Sequence, residues 1–107
     1  MVSFSEWQNI DIRIGKIEKA EEIEGKDKLF RLQVSFGDDQ RQVIAGLKPY
    51  YSAEEIEGKK AAFVYNLDPA NIGGLESKAM ILGVLNEENR YRLLFAEDSV
   101  REGARVE

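Results

Sequence analysis

The chain has 107 residues and a formal net charge of −5, from 20 acidic and 15 basic residues, and it contains neither cysteine nor histidine. These missing residue types exclude disulfides, thiolate and imidazole metal sites, and Ser–His or Cys–His nucleophilic catalysis. A hydrophobic fraction of 43% suits one packed core, and the acidic balance argues against a basic patch for nucleic acid at the level of the whole chain.

The first residues predict a short helix. Ser3 and Glu6 have the spacing of a capping box, which favours one helical turn over residues 4–9. We therefore divide the chain into an N-terminal arm, residues 1–7, and a single domain, residues 8–107.

The next segments predict strands of an antiparallel sheet. Apolar and polar residues alternate over 10–14, and a slip of this alternation at Gly15 indicates a β-bulge. Strict alternation over 29–36 is typical of a half-buried strand. The residues at 37–40 predict a hairpin turn, and 41–47 form the returning strand.

A second short helix is predicted after the third strand. Ser52 has a glutamate three residues later, and Gly58 is a typical helix stop. Strands follow at 60–67, 77–85 and 91–95. Residues 77–85 are almost wholly apolar, which predicts a central strand of a barrel.

The order of these elements predicts the fold class. Five or six short strands, with one short helix after the third and no βαβ alternation, favour a small all-β barrel. We predict an OB-fold, a five-stranded Greek-key barrel with a short helix between strands 3 and 4 and extra C-terminal strands.

Five sequence blocks, in order and at consistent spacing, carry a family resemblance. The chain is similar to the tRNA-binding domain found at the end of methionyl-tRNA synthetases, as a separately encoded beta subunit, or as free-standing dimeric proteins. The blocks are DIRIGKIEKAEEI (11–23), DKLFRLQVSFG (27–37), RQVIAGL (41–47), EIEGKKAAFVYNLDP (55–69) and GGLESKAMILGV (73–84).

The resemblance implies a non-catalytic protein that binds tRNA with little sequence specificity and needs no cofactor or metal. It implies a homodimer joined partly through the C-terminal strands, and a methionyl-tRNA synthetase catalytic subunit as a further partner. The chain contains no Rossmann domain and no HIGH-type or KMSKS-type motif. Without an apolar run of membrane-spanning length or a signal peptide, we expect a cytoplasmic protein with no membrane partner.

The resemblance and the strand pattern suggest basic residues for phosphate contact. Lys28 matches a lysine that the family uses, although a solvated strand end is the alternative reading. Arg31 and Arg41 are predicted to lie side by side across the hairpin as a phosphate clamp. The competing interpretation pairs them with Asp38 or Asp39.

The block around residue 77 supplies the other candidates. Ser77 and Met80 match a binding segment of related proteins, in which Ala79 here replaces the usual glycine, and Lys78 adds a positive charge beside Ser77. Met80 is interpreted either as a surface for a base or as a core residue. Asn66 matches a further family position and is a candidate for tRNA hydrogen bonding or for a structural role at the strand end.

One departure from the family concerns the loop after the fourth strand. Where the family commonly carries several lysines or arginines, residues 68–74 contain no basic residue. This loss predicts weak, salt-sensitive tRNA binding. It also favours the alternative function, a dimeric export-related chaperone that binds unfolded polypeptides in an apolar groove between its subunits. An enzyme is not expected, because the carboxylates fall in surface clusters without a fixed acid–base geometry.

Overall fold

The computed structural model describes all residues, 1–107, and has two short helices and nine strands. The helices are α1 (Phe4–Trp7) and α2 (Ala53–Ile56), and the strands are β1 (Ile12–Ile23), β2 (Lys26–Ser35), β3 (Gln40–Ala45), β4 (Lys60–Val64), β5 (Ala70–Ile72), β6 (Leu75–Ser77), β7 (Met80–Ile81), β8 (Gly83–Leu85) and β9 (Tyr91–Leu93).

The main sheet has five antiparallel strands in the order β3-β2-β1-β4-β7, with α2 between the third and fourth strands. The hairpins β5–β6 and β8–β9 are additional to this sheet. This arrangement confirms the predicted all-β, OB-like barrel with extra C-terminal strands. No helix is long and apolar enough to cross a membrane.

The inward face of β2 provides the centre of the core. Phe30, Leu32, Val34 and Phe36 are each at least 98% buried, as their alternation predicts. Residues opposite them on β3 continue the same face, because Phe30 pairs with Ala45 and Leu32 with Val43.

The long strand β1 serves both halves of the barrel. Residues 12–16 pair with β4, and residues 16–23 pair with β2. The pairing of β1 with β2 is irregular between Ile17 and Lys19 and again between Glu22 and Ile23, so the predicted bulge at Gly15 is wrong in position. Gly15 is instead a point of close packing, since a Cβ there would lie 2.6 Å from Cγ1 of Val34.

Both helices begin with the predicted capping boxes. In α1 the Ser3 hydroxyl accepts from the Glu6 backbone, and in α2 Ser52 accepts from Glu55, with each glutamate returning a hydrogen bond to the cap. In α2 the only buried side chain is Ile56, which is fully buried against the core. Each helix is thus specified by a few neighbouring residues.

The predicted continuous strand over 77–85 is wrong. Its residues divide among the end of β6, which pairs with β5, β7, which pairs with β4, and β8, which pairs with β9. They leave Met80, Val84 and Leu85 exposed. The segment changes partners at Leu82, whose backbone N–H bonds to Ala62 and whose carbonyl accepts from Leu94. An apolar run therefore marks exposed surface here as well as core.

The C-terminal tail is bound to the barrel by main-chain hydrogen bonds. The Ile14 N–H donates to the Ala104 carbonyl, and the Val106 N–H donates to the Ile12 carbonyl. On the β4 side, the Ala62 N–H donates to Leu94. The last residues thus cover strand edges that would otherwise be open.

Candidate nucleic-acid interface

Two depressions lie side by side on the surface formed by β3 and the connection from β4 to β7. The first, the apolar groove, has a volume of about 450 Å³, and its walls include Ile44, Leu47, Leu67, Ile72, Met80 and Tyr91. The second, the polar cleft, is lined by Asp39, Gln40, Arg41, Tyr65, Asn66, Leu67, Pro69 and Lys78. Leu67 belongs to both, so one extended ligand can reach the two depressions.

Met80 lies on the wall of the apolar groove and is 49% exposed. This exposure decides against the core interpretation. Leu67 and Ile72 are also exposed, at 47% and 36%. Three large apolar side chains therefore face solvent around one groove, an arrangement that marks binding surfaces.

Ser77 closes the barrel and is 4% exposed. Its hydroxyl accepts from the Ile44 N–H at 3.0 Å and donates to the Ala79 carbonyl at 3.0 Å. Next to it the Lys78 N–H donates to the Gln42 carbonyl at 2.9 Å. The hydroxyl predicted to contact tRNA thus takes the place of a backbone acceptor beside β3.

The Arg41 side chain forms hydrogen bonds within the polar cleft. Its guanidinium bonds to Asp39 at 2.8 Å and donates to the carbonyls of Tyr65 and Lys78 at 2.7 and 3.0 Å. It also lies 3.6 Å from the centre of the Tyr65 ring, while Arg13 lies 4.1 Å from that centre. Tyr65 therefore contacts two guanidinium groups.

The tyrosine and its neighbours shift each other's proton affinities. The Tyr65 hydroxyl donates a short hydrogen bond to Asp39, and this bond, followed by the Arg41 guanidinium, lowers the pKa of Asp39. Burial, followed by the bond to Asp39, raises the pKa of Tyr65. On the neighbouring strand, the hydrogen bond from Arg13 lowers the pKa of Asp11.

The predicted clamp of Arg31 and Arg41 is wrong in its geometry. Arg31 pairs with Ile44, and Arg41 pairs with Val34, so three residues separate them along the hairpin. Successive residues of a strand point to opposite faces, which places Arg41 on the inward side with Val34 and Arg31 on the outward side. The alternative pairing with Asp39 is correct for Arg41.

Asn66 joins the fourth strand to the start of the first. Its side-chain oxygen accepts from the Asp11 N–H at 2.8 Å, and its amide group donates to the Asn9 carbonyl at 2.7 Å. The side-chain oxygen and nitrogen of Asn66 thus both hydrogen-bond to the backbone of the same chain, in agreement with the structural interpretation.

The remaining basic candidates differ in their freedom to meet phosphate. Lys28 is exposed and forms no ion pair. The Lys78 ammonium is 3.7 Å from Glu76 with both side chains more than half exposed, and Arg31 is 3.6 Å from Glu21. The exposed Lys78–Glu76 pair is weak, so a phosphate can displace its carboxylate, whereas the Arg31–Glu21 pair is only about one-third exposed.

Sequence reasoning missed two features of this surface. Asp68 lies on the wall of the apolar groove as its only charged residue, and Tyr65 lies at the centre of the polar cleft. Only the absence of basic residues at 68–74 pointed to the first, and nothing local marks the second. No group of His, Cys, Asp and Glu side chains is placed to hold a metal ion.

A family model described as "Putative tRNA binding domain" matches residues 12–105. The methionine–tRNA ligase of Caldanaerobacter subterraneus is 34% identical over 105 residues, which cover 98% of this chain and 16% of the ligase. The chain thus spans about a sixth of the length of such relatives.

Two solved structures resemble the whole chain. A MetRS-related protein from Pyrococcus horikoshii has a TM-score of 0.93 at 34% identity, covering 99% of this chain and 97% of that protein. The chaperone CsaA from Bacillus anthracis has a TM-score of 0.88 at 27% identity, covering 100% of this chain and 99% of the chaperone.

Proposed function

The chain belongs to the tRNA-binding domain family, and on that premise we propose that it binds tRNA as a non-catalytic module that supports aminoacylation by a methionyl-tRNA synthetase. The observation that carries this proposal is the match of the family model over residues 12–105, which include the whole apolar groove and the polar cleft beside it. Recognition relies on phosphates and shape more than on sequence.

The electrostatics of the surface favour weak binding that depends strongly on salt. Lys28 and Lys78 are the exposed cations of the candidate set, and Lys78 must leave Glu76 when it meets a phosphate. Salt competes directly with such contacts. Weak capture is sufficient for a module that works beside a catalytic unit, because a second contact on the same tRNA raises its effective concentration.

The C-terminal strands support a homodimer. Val84, Leu85, Leu94 and Phe95 are 53%, 64%, 44% and 45% exposed, although all four are apolar. A two-fold contact between copies would bury these side chains and present two tRNA-binding faces. Sedimentation equilibrium should show a dimer at micromolar concentration, and a stable monomer would exclude this part of the proposal.

A polypeptide-binding chaperone is the second candidate. It is favoured by the exposed apolar side chains Leu67, Ile72 and Met80 around the groove, and by the likeness to the chaperone CsaA. Apolar capture of a polypeptide depends little on salt, in contrast to phosphate contacts.

The two functions are separated by titrating the protein with total tRNA and with an unfolded polypeptide, each at low and at moderate salt. We expect tRNA binding that weakens steeply with salt. Added to a methionyl-tRNA synthetase catalytic unit, the chain should also lower the tRNA concentration needed for half-maximal aminoacylation. Salt-insensitive polypeptide binding without tRNA binding would replace the first function with the second.

A further inference from the structure

The apolar groove contains one charged residue that its own protein does not neutralise. Asp68 lies on the groove wall and forms neither an ion pair nor a side-chain hydrogen bond. Of the hydroxyl-bearing residues on that wall, Ser77 is already engaged, and the other two are Tyr50 and Tyr91. An ionised carboxylate only accepts hydrogen bonds. A ligand that fits here therefore combines an apolar body with N–H or O–H donors along one edge.

A nucleobase has this combination. Its face is apolar and packs on thioether and aromatic side chains, here Met80 with Tyr50 and Tyr91 nearby on the wall. The volume of about 450 Å³ lies within the roughly 300–1,000 Å³ typical of small-ligand sites. The groove thus has room for one base removed from its stack.

The neighbouring polar cleft suits the phosphate of the same nucleotide. Lys78 lines the cleft, while the residues on either side of it, Ser77 and Ala79, line the groove. The Lys78 side chain is 54% exposed and is held only by a long contact to Glu76. A base in the groove therefore leaves its backbone beside an available cation.

The hydrogen-bonding edge distinguishes among the four bases. Guanine alone presents two adjacent N–H donors, N1–H and N2–H, which match the two oxygens of a carboxylate. Adenine, cytosine and uracil offer that carboxylate fewer donors. Charge-assisted bidentate hydrogen bonds are the strongest of this class.

On these grounds we infer that the apolar groove binds one unpaired guanine of the RNA, with Met80 against the base and Asp68 accepting from its N1–H and N2–H groups. This inference rests on the proposed function, and it assigns to the loop without basic residues a part in reading a base. An apolar side chain of a polypeptide would fill the groove without supplying a donor to the Asp68 carboxylate, which is exposed at the groove wall.

The test uses a short stem–loop RNA whose loop carries a single guanine, replaced in turn by inosine, which lacks the N2 amine, and by adenine. Affinity is measured by fluorescence anisotropy at low salt, with total tRNA as a parallel ligand. We expect the change from guanine to inosine to weaken binding about 10-fold, since one hydrogen bond to a charged group is lost. Asp68→Asn should abolish this preference while retaining affinity for the adenine loop.

Two further variants complete the design. Asp98→Asn removes the same charge from an exposed residue outside both depressions and should leave the guanine preference intact. Met80→Ala should weaken all three loops alike, by about 10-fold. Unfolding curves for each variant confirm that the barrel is folded.

The outcomes separate this inference from the proposed function. Equal affinity for guanine, inosine and adenine loops, or tRNA binding without loop binding, overturns the guanine site and leaves tRNA binding in place. Failure to bind any RNA at low salt removes both the site and the proposed function.

Discussion

Replacing Ser77 with alanine tests whether this residue stabilises the barrel or binds tRNA. The substitution removes the hydroxyl that joins the Ile44 N–H to the Ala79 carbonyl, each at 3.0 Å. Because the Ser77 site is 4% exposed, water does not readily replace the lost partner. Each backbone group left without a partner costs about 1–2 kcal/mol, and the two together cost about 2–4 kcal/mol.

This loss is a large part of the stability of a small domain, which is typically about 5–15 kcal/mol. Urea unfolding of Ser77→Ala should show a lower midpoint with an unchanged dependence on urea concentration. The tRNA affinity of the folded protein should remain close to that of the parent. The matched control is Ser99→Ala, which removes an exposed hydroxyl without a partner and should unfold like the parent.

An unchanged unfolding midpoint for Ser77→Ala, together with a clear fall in tRNA affinity, would refute this reasoning. It would return Ser77 to the role that the sequence predicted, a direct contact to RNA. If both the unfolding midpoint and the tRNA affinity fall, the affinity is measured again at a urea concentration well below the midpoint, where the variant is fully folded.

Three other predictions concern the candidate binding residues and the polar cleft. Met80→Ala should cost less than about 1 kcal/mol of stability, because the side chain is half exposed, but about 1–3 kcal/mol of RNA affinity, measured by urea unfolding and by tRNA titration. Lys28→Ala and Lys78→Ala should each reduce the slope of log affinity against log salt by about 1, and should weaken binding of all tRNAs alike. The pKa of Asp39 is lowered in the folded state, so the unfolded chain takes up the proton first as the pH falls. The Asp39 carboxylate therefore stabilises the fold above a pH of about 3.8 and ceases to do so in more acidic solution. Tyr65→Phe removes the largest cause of that lowered pKa. The unfolding temperature of this variant should therefore fall less steeply between neutral and acidic pH than that of the parent, as measured by thermal unfolding.

Controls and contrary outcomes differ among these three. Lys59→Ala should not change the salt slope, because this lysine is exposed without an ion pair, lies outside both depressions and, unlike Lys28 and Lys78, is not one of the candidate binding residues. Unchanged slopes for Lys28→Ala and Lys78→Ala would show that the proposed face does not meet phosphate. A large loss of stability in Met80→Ala with intact affinity would make Met80 a packing residue, and an acid limb unaffected by Tyr65→Phe would show that another group dominates.

Several features follow from short stretches of sequence. The capping boxes at Ser3 and Ser52 and the alternation over 29–36 each depend on residues within one or two turns of helix or strand. Such signals are local because they arise from backbone hydrogen bonds and from the two-residue period of a strand. The fold class followed from their order along the chain, and the family from the blocks that contain them.

The binding surface required the tertiary structure, because it is made by contacts between distant segments. Alternation alone does not say which residue of β3 lies opposite Arg31, and the observed register placed Arg41 on the other face, against Tyr65. Composition does not distinguish an apolar residue that is buried from one that lies on a groove, as Met80 does at 49% exposure.

The sequence by itself therefore determined the class of barrel, its two short helices and the family, through interactions between near neighbours. The tertiary structure alone decided what each candidate side chain does. Ser77 hydrogen-bonds beside a strand that is 33 residues away in the chain, and Arg41 donates to a carbonyl that is 24 residues away. These partners meet only when the barrel closes. Of the polar side chains, Ser77 and Arg41 therefore became structural, and Lys28 and Asp68 stayed available to a ligand.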